Sequence, residues 1–278
     1  MADSVVINPT SYTCIPNVIL KSSVSEDGNL LNVCHLNAFS ILNKMDEIRN
    51  IVNFVNFHVI CVVESWLHES INSKMISISN FKSYRSDRPT RGGGIIIYVK
   101  FGIRSRVVGR VYNSGCEALF VELRWDNVAV LIGCVYLPPP VSSAAIYALE
   151  QELKLLAPKY SHLVLLGDFN INILQTSSMF LNLNNMLSSF SLIIHNTTTF
   201  TYFTQYSRSL LDLVIIPKSQ INSLQRFNQI AVTAVSNHDM IYCSYILPDN
   251  ISETENTSFR NYAACNISEL STDAYGKP

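Results

Sequence analysis

The tetrapeptide Gly167-Asp168-Phe169-Asn170 follows directly on the apolar run Leu163–Leu166. Strand residues two apart face the same way, so Asp168 and Asn170 are expected to project together from the strand's end. A carboxylate beside an amide suits hydrolysis: one takes a proton from water, the other holds that water or a phosphate. Alone, the tetrapeptide is also ordinary turn chemistry. Three further segments give it weight: His35-Leu36-Asn37, Val63-Glu64-Ser65-Trp66 and Ser236-Asn237-His238.

Each of these residues has a structural reading too. Asn37 precedes a helix that starts near Ser40 and could serve as a cap or turn residue. Glu64 could mark where an apolar strand meets solvent, and His238 could be a satisfied structural histidine. Tyr136 stands just before Pro138-Pro139-Pro140 and could simply pack. Asp212, inside Leu210-Leu211-Asp212-Leu213-Val214, is different, because a carboxylate in an apolar strand requires a partner. Gly92-Gly93-Gly94 lacks the Gly-Lys-Thr/Ser of a phosphate loop and opens no helix, so it reads as a turn into a strand.

The elements that must position these groups follow from periodicity. Leu30–Cys34 is apolar enough for a first strand. From Ser40 to Phe57 the apolar residues fall at 41, 42, 45, 48, 51, 52 and 55, an amphipathic helix with Ser40 as its cap. His58–Val63 is a β-rich run ending at Glu64, which completes a βαβ pattern. Ile95–Val99 and Arg104–Val111 are further strands. Leu119, Val121, Leu123 and Trp125 alternate as in a half-buried antiparallel strand. Asp126-Asn127 reads as a turn before Val128–Tyr136, which the prolines stop. Ser142–Ala157 and Met179–Phe190 have helical spacing around the strand at Leu163–Leu166; Leu210–Ile216 and Met240–Ile246 are the last strands. The sum is an α/β fold, a two-sheet β-sandwich flanked by helices. One edge of it would gather Asn37, Glu64, Tyr136, Asp168, Asp212 and His238, each at or just past the end of an apolar run.

Composition narrows the class. The chain has 278 residues, 48% hydrophobic and 15% charged, enough for a sizeable core in one large domain. A net charge of −1 gives no global basic footprint, so any nucleic-acid contact must rest on a local patch. The seven cysteines are scattered with no Cys-x-x-Cys pair, several inside apolar runs, and read as reduced core thiols of an intracellular protein. The sequons at Asn196, Asn250, Asn256 and Asn266 then count as accidental. No apolar stretch approaches the roughly 20 residues of a membrane helix, and Met1–Thr10 lacks a signal-peptide pattern. Residues 1–29 read as a flexible leader, 30–248 as the folded domain and 249–278 as a polar tail or linker.

Taken in order, His35-Leu36-Asn37, Val63-Glu64-Ser65-Trp66-Leu67, Tyr84-Arg85-Ser86-Asp87-Arg88 with Gly92-Gly93-Gly94, and Val135-Tyr136-Leu137-Pro138-Pro139 carry a resemblance. Leu166-Gly167-Asp168-Phe169-Asn170, Ser209-Leu210-Leu211-Asp212-Leu213 and Ser236-Asn237-His238 continue it. The set resembles the endonuclease/exonuclease/phosphatase superfamily. More closely, it is similar to the apurinic-type endonuclease domain that begins the polyprotein of non-LTR (LINE-type) retrotransposons. Ser258-Phe259-Arg260-Asn261-Tyr262 resembles the linker after that domain. The reverse transcriptase expected next is absent, so the chain reads as a fragment or an isolated endonuclease reading frame.

The resemblance implies the four-layer endonuclease/exonuclease/phosphatase fold. It also implies a Mg²⁺-dependent enzyme (Mn²⁺ the alternative) that nicks double-stranded DNA. The nick would leave a 3′-hydroxyl for target-primed reverse transcription by a downstream reverse transcriptase domain. Glu64 and Asn37 would hold the metal. Asp168 would orient or deprotonate water, Asn170 would position water or phosphate, and His238 would donate to the phosphate with its tautomer fixed by Asp212. Tyr136, Thr201 and Ser236 would hydrogen-bond the phosphate. Asn237 replaces the aspartate usual in Ser-Asp-His, which implies reduced nicking, and Leu137 stands where related elements often carry arginine. Arg85, Arg88, Arg91, Arg104 and Arg106 could line a DNA groove. The expected protein is a nuclear monomer with no membrane contact. A decayed relic without catalysis, or a small-molecule phosphodiesterase or phosphatase of the same superfamily, are the competing readings.

Overall fold

The computed structural model describes residues 30–125 and 128–247. The leader 1–29, the turn at Asp126-Asn127, the tail 249–278, Cys14 and Cys265 lie outside the described residues.

Fourteen strands and three α-helices are built among the described residues. One six-stranded sheet runs β13(Leu224–Ile230), β14(Met240–Ile246), β1(Leu30–Asn37), β2(Val59–Val63), β4(Ile95–Lys100), β3(Phe81–Ser86). The other runs β5(Arg104–Asn113), β6(Cys116–Trp125), β7(Val128–Tyr136), β8(His162–Asp168), β12(Asp212–Pro217), β9(Leu192–Ile194). A separate hairpin pairs β10(Tyr202–Phe203) with β11(Arg208–Ser209). Both large sheets are mixed: β1–β2 and β7–β8 are parallel and their other pairs antiparallel.

Strand parity sorts the core into layers. Leu31 and Val33 of β1, Cys61 of β2, Ile97 of β4, Ile132 of β7, Val164 of β8 and Val214 of β12 meet between the sheets. The opposite face of the first sheet, including Cys34, Leu36, Ile60 and Tyr98, packs on α1(Met45–Phe54) through Met45, Ile48, Ile51 and Val52. The opposite face of the second, including Phe120, Leu131 and Leu165, packs on α2(Ser143–Leu156) and α3(Ser178–Ser189). The result is four layers, helix on sheet on sheet on helices. Cys34, Cys61, Cys116, Cys134 and Cys243 are buried free thiols, as their apolar surroundings in the sequence predict.

Several local expectations need correction. Ser40 does not cap a helix; it has φ 79°, a 3₁₀ turn at Leu42–Lys44 follows, and α1 starts only at Met45. The helical spacing read from Ser40 holds from Ile41, which is buried with an αR backbone, through a 3₁₀ turn before α1 begins. β6 is buried on both faces rather than half-buried, because α2 covers Ala118 and Phe120 while β7 and β5 flank it. β3, β9, β10, β11 and β13 were not legible as strands. β13 reads Leu-Gln-Arg-Phe-Asn-Gln-Ile, an edge strand in which Gln225 and Arg226 are exposed and polar residues break the apolar pattern.

Candidate active site

The inter-sheet layer is apolar in its middle and polar at one end, and strand register decides which residues reach that end. In β1 the inward positions run Leu31, Val33, His35, Asn37; in β8 they run Val164, Leu166, Asp168; in β7 they end at Tyr136. Tyr136 pairs with Asp168 and Asp168 with Asp212, placing three functional side chains on neighbouring strands. β12 runs antiparallel to β8, so Asp212 stands at the start of its strand, not its end. His238 likewise precedes β14 instead of closing a strand. The expectation that every site residue follows an apolar run is therefore corrected for these two. Gly167 has a reason of its own: any Cβ there would collide with the Val135 carbonyl, so β7 and β8 approach closely only with glycine beside Asp168.

Asp168 is buried at 1% exposure. Its Oδ1 accepts from the Asn170 backbone N–H at 2.9 Å, and Oδ2 accepts from Asn170 Nδ2 at 3.2 Å and Asn37 Nδ2 at 2.9 Å. Asn170 does reach Asp168, but not by strand alternation. β8 ends at Asp168, and Asn170 has a left-handed backbone (φ 49°) that folds its amide back onto the carboxylate. Glu64, just past β2 with φ 51°, accepts from Asn37 Nδ2 at 3.1 Å and Tyr136 Oη at 2.9 Å on Oε1, and from Trp66 Nε1 at 3.2 Å on Oε2. One amide thus bridges two carboxylates. Asn37 turns its nitrogen toward them while its oxygen accepts from the Phe39 N–H at 3.1 Å, so in this arrangement it joins the acids and does not present a ligand oxygen.

On the other flank, Asp212 Oδ2 accepts from His238 Nδ1 at 2.8 Å and Oδ1 accepts from His35 Nε2 at 2.9 Å. His238 Nε2 then lies 3.9 Å from Asp168 Oδ2. The Tyr202 ring packs 4.5 Å from the His238 ring. Ser236 Oγ accepts from the His238 N–H at 3.1 Å and so orients the imidazole's loop.

Thr201 does not face a substrate. It is wholly buried, and its hydroxyl oxygen accepts from the N–H groups of Leu211 and Asp212 at 3.1 and 3.0 Å, which fixes the entry to β12. Asn196 does similar work: it donates to the Asp212 carbonyl and accepts from Val214 N–H, both at 2.8 Å. Asn237 is exposed, with its carbonyl accepting from Phe203 N–H at 3.1 Å, and its side chain has no hydrogen-bond partner among the described residues. Asp239 is held by Gln229 Nε2 at 2.7 Å. Leu137 is fully buried in the outer helical layer, so its position offers no exposed DNA contact.

The charges of the site are mutually tuned. Burial, then the charge of Asp212, pushes Asp168 up to about 7, against the pull of His238, Asn170 and Asn37. Burial acts to raise Asp212, but His238 and His35 outweigh it and hold that carboxyl below the usual range. Burial acts to lower His238, yet Asp212, Asp168 and Glu64 push it up to about 9. Burial and then Glu64 hold the Tyr136 phenol well above its ordinary value, so it remains a donor.

The five arginines do not act together. Arg85 is spent on Asp87 and the carbonyls of Ile71 and His68. Arg88 clamps buried Glu117, which also accepts from Gly94 N–H at 2.7 Å. Arg106 pairs with Glu122, and Arg104 pairs in register with Arg124, at the sheet end away from Tyr136. Arg91 alone comes near, 5.4 Å over the Trp66 ring. A cavity of about 310 Å³ lies alongside, lined by residues such as Arg88, Tyr112, Ser114 and Glu117; Asp168, Asp212 and His238 do not line it.

Asp168, Asp212 and His238 offer possible ligand atoms within 4.8 Å of one another. His238 and Asp212 already satisfy each other, however. Glu64 and Asp168, both bonded to the Asn37 amide nitrogen, offer carboxylate oxygens of the kind a hard divalent cation could take. No helix among the described residues is long and apolar enough to cross a membrane.

The sequence pattern of the Endonuclease/Exonuclease/phosphatase family matches residues 32–238. No curated protein matches the chain by sequence. Among solved structures, the endonuclease domain of TRAS1, a telomere-specific non-LTR retrotransposon, superposes with TM-score 0.66 at 12% identity, covering 79% of this chain and 100% of that one. The AP endonuclease LMAP from Leishmania major gives 0.67 at 12% identity over 83% and 95% of the two chains. The 3′ phosphatase NExo from Neisseria, bound to a product DNA hairpin, gives 0.64 at 13% identity over 78% and 100%. At such identities these likenesses show the fold.

Proposed function

The chain belongs to the endonuclease/exonuclease/phosphatase family, and from that premise we propose that it is a Mg²⁺-dependent DNA endonuclease. The observation that carries the reading is the pairing of two flanks at one sheet edge. Glu64 and Asp168 share the Asn37 amide on one side, and His238 is braced by Asp212 on the other.

Mg²⁺, or Mn²⁺ in its place, would sit against Glu64 with Asn37 beside it and would supply charge stabilisation at the phosphoryl oxygens. The protein's own residues do the rest. Asp168, raised to about 7, is basic enough at neutral pH to take a proton from water, and Asn170 locks its orientation. His238 anchors Nδ1 on Asp212, which leaves Nε2–H to donate to a phosphate oxygen. Tyr136 holds Glu64 through its hydroxyl. Hydrolysis of one phosphodiester would leave the 3′-hydroxyl that a downstream reverse transcriptase uses as primer. The likeness to the TRAS1 domain supports the retrotransposon setting, and the DNA hairpin on the Neisseria protein supports a DNA substrate. The catalytic domain would occupy 30–248, with a leader before it and a tail after.

The test is nicking of supercoiled plasmid with and without Mg²⁺. Conversion to open circle only with Mg²⁺, lost in Asp168→Ala and His238→Ala, is the expected result. A folded protein that never nicks would overturn the proposal.

A further inference from the structure

Beside Glu64 two aromatic side chains stand on backbone that such residues seldom adopt. Phe39 has φ 44° and Trp66 has φ 54°, and Phe39 is 57% exposed. Bulky residues are strained in the left-handed region, so surrounding bonds must impose the conformation. Those bonds are present. Lys44 Nζ donates to the carbonyls of Ala38 and Phe39 at 2.7 and 2.8 Å, and Trp66 N–H donates to the Gly93 carbonyl at 2.9 Å. Ser40 N–H reaches the Glu64 carbonyl at 2.9 Å and ties the two loops together.

The rings lie 4.6 Å apart between centroids, tilted by 56°. A cation accompanies each: Lys44 Nζ is 5.7 Å from the Phe39 centroid and Arg91 lies 5.4 Å from that of Trp66. The indole N–H bonds Glu64, so this surface is fixed to the carboxylate that faces Asp168. An exposed ring with flanking cations matches a planar ligand on an anionic backbone, which is the chemistry of nucleotide stacking.

We infer that Phe39 and Trp66 form a stacking platform for an unstacked base of the strand being cut, with Lys44 and Arg91 flanking its phosphates. The inference rests on the nuclease reading and adds to it a substrate feature, a base withdrawn from the duplex next to the scissile phosphate. It also gives a role to the two strained loops, which the chemistry at Asp168 and His238 leaves unused.

The test uses the full chain in EDTA, where binding is separated from cleavage, with (dA)₁₀ and a paired duplex as probes. The chain has two tryptophans, so Trp125→Phe leaves Trp66 as the reporter. Expected are quenching of Trp66 emission by (dA)₁₀ and a roughly 10-fold loss of affinity in Phe39→Asn, in keeping with base–aromatic stacking energies. Asn tolerates the left-handed backbone, so the loss reports the ring and not a distorted loop. Phe39→Tyr should keep the affinity. If (dA)₁₀ or the duplex binds but quenching is absent and Phe39→Asn binds equally well, the platform is wrong and the nuclease reading stands. If the folded protein binds neither probe, both fail.

Discussion

His35 and Asp212 are joined by a 2.9 Å hydrogen bond from Nε2 to Oδ1, both side chains having no solvent exposure. Because that oxygen is taken, Asp212 meets His238 with Oδ2, and the imidazole's Nε2 is left aimed at Asp168. His35 is therefore a positioning residue: it fixes the carboxylate that braces His238. Removing it strands a buried charged acceptor, which costs about 2 kcal/mol or more. His35→Leu is expected to lower stability by that order in urea unfolding and to slow nicking about 10-fold. His35→Gln, which can still donate, should recover part of both. An unchanged nicking rate in a destabilised His35→Leu would show that His238 alone aligns Asp212.

The pH dependence follows from the same cluster. On the proposed mechanism the working form has Asp168 ionised and His238 protonated, so kcat/KM of nicking should rise toward about 7 and fall above about 9. Added Mg²⁺ should move the acid limb downward, since a nearby cation favours the carboxylate. His238→Asn should abolish the alkaline limb and cost roughly 10²-fold or more in rate. Stability of the metal-free protein carries matching signs. His238, raised in the fold, contributes stability that is complete below its unfolded value near 6.5 and lost as pH rises through about 9. Asp168, raised likewise, contributes below about 4 and loses that contribution by about 7. Asp212, depressed, contributes above its unfolded value and loses it in acid. A pH–rate profile and thermal melts in EDTA check each limb.

How much of this the sequence discloses depends on the kind of signal. Apolar runs at β7 and β14 match their strands residue for residue, because both are buried and bounded by prolines or polar turns. The carboxylates are legible because each interrupts or ends such a run. The supporting residues are not. Thr201 and Asn196 sit in polar stretches that look like loop, and only the folded chain shows them bonded to Asp212 and Val214 backbone. Thr201 thus belongs to the scaffold and not to the phosphate contacts. His35 lies inside a segment read for Asn37, and its role emerges only when β1 faces β12 across the sandwich. The arginine cluster misleads for the converse reason: nearness in sequence says nothing about which sheet end a strand residue occupies, and register sends Arg104 and Arg106 away from the site.

Arg88 illustrates a charge whose work is structural. Glu117 is 4% exposed and takes the Arg88 guanidinium together with the Gly94 N–H. Gly94 itself has φ +84°, and a Cβ there would crowd Ser65 Oγ at 2.6 Å. Arg88→Met would leave a buried carboxylate with one backbone donor, and breaking such a pair typically costs about 3 kcal/mol. The double change Arg88→Met with Glu117→Gln removes the orphaned charge and should be milder than the single one. Urea unfolding of the three variants measures this; equal losses in single and double variants would mean the pair contributes through packing.

Asn237 is the remaining departure from the Ser-Asp-His pattern, and the structure makes its test clean. The side chain is exposed and unpartnered among the described residues, so Asn237→Asp changes charge beside His238 with little change in packing. Asp239 does not stand in for the missing charge, since Gln229 holds it at 2.7 Å and burial raises its carboxyl. A new carboxylate on the residue before His238 would add a negative charge that favours the protonated ring. Asn237→Asp is therefore expected to raise Mg²⁺-dependent nicking about 10-fold with stability within about 0.5 kcal/mol of the parent, the usual range for an exposed substitution. The rate should also persist to higher pH. Equal rates for the two proteins would make Asn237 a neutral surface residue and remove the reason to expect a weakened enzyme.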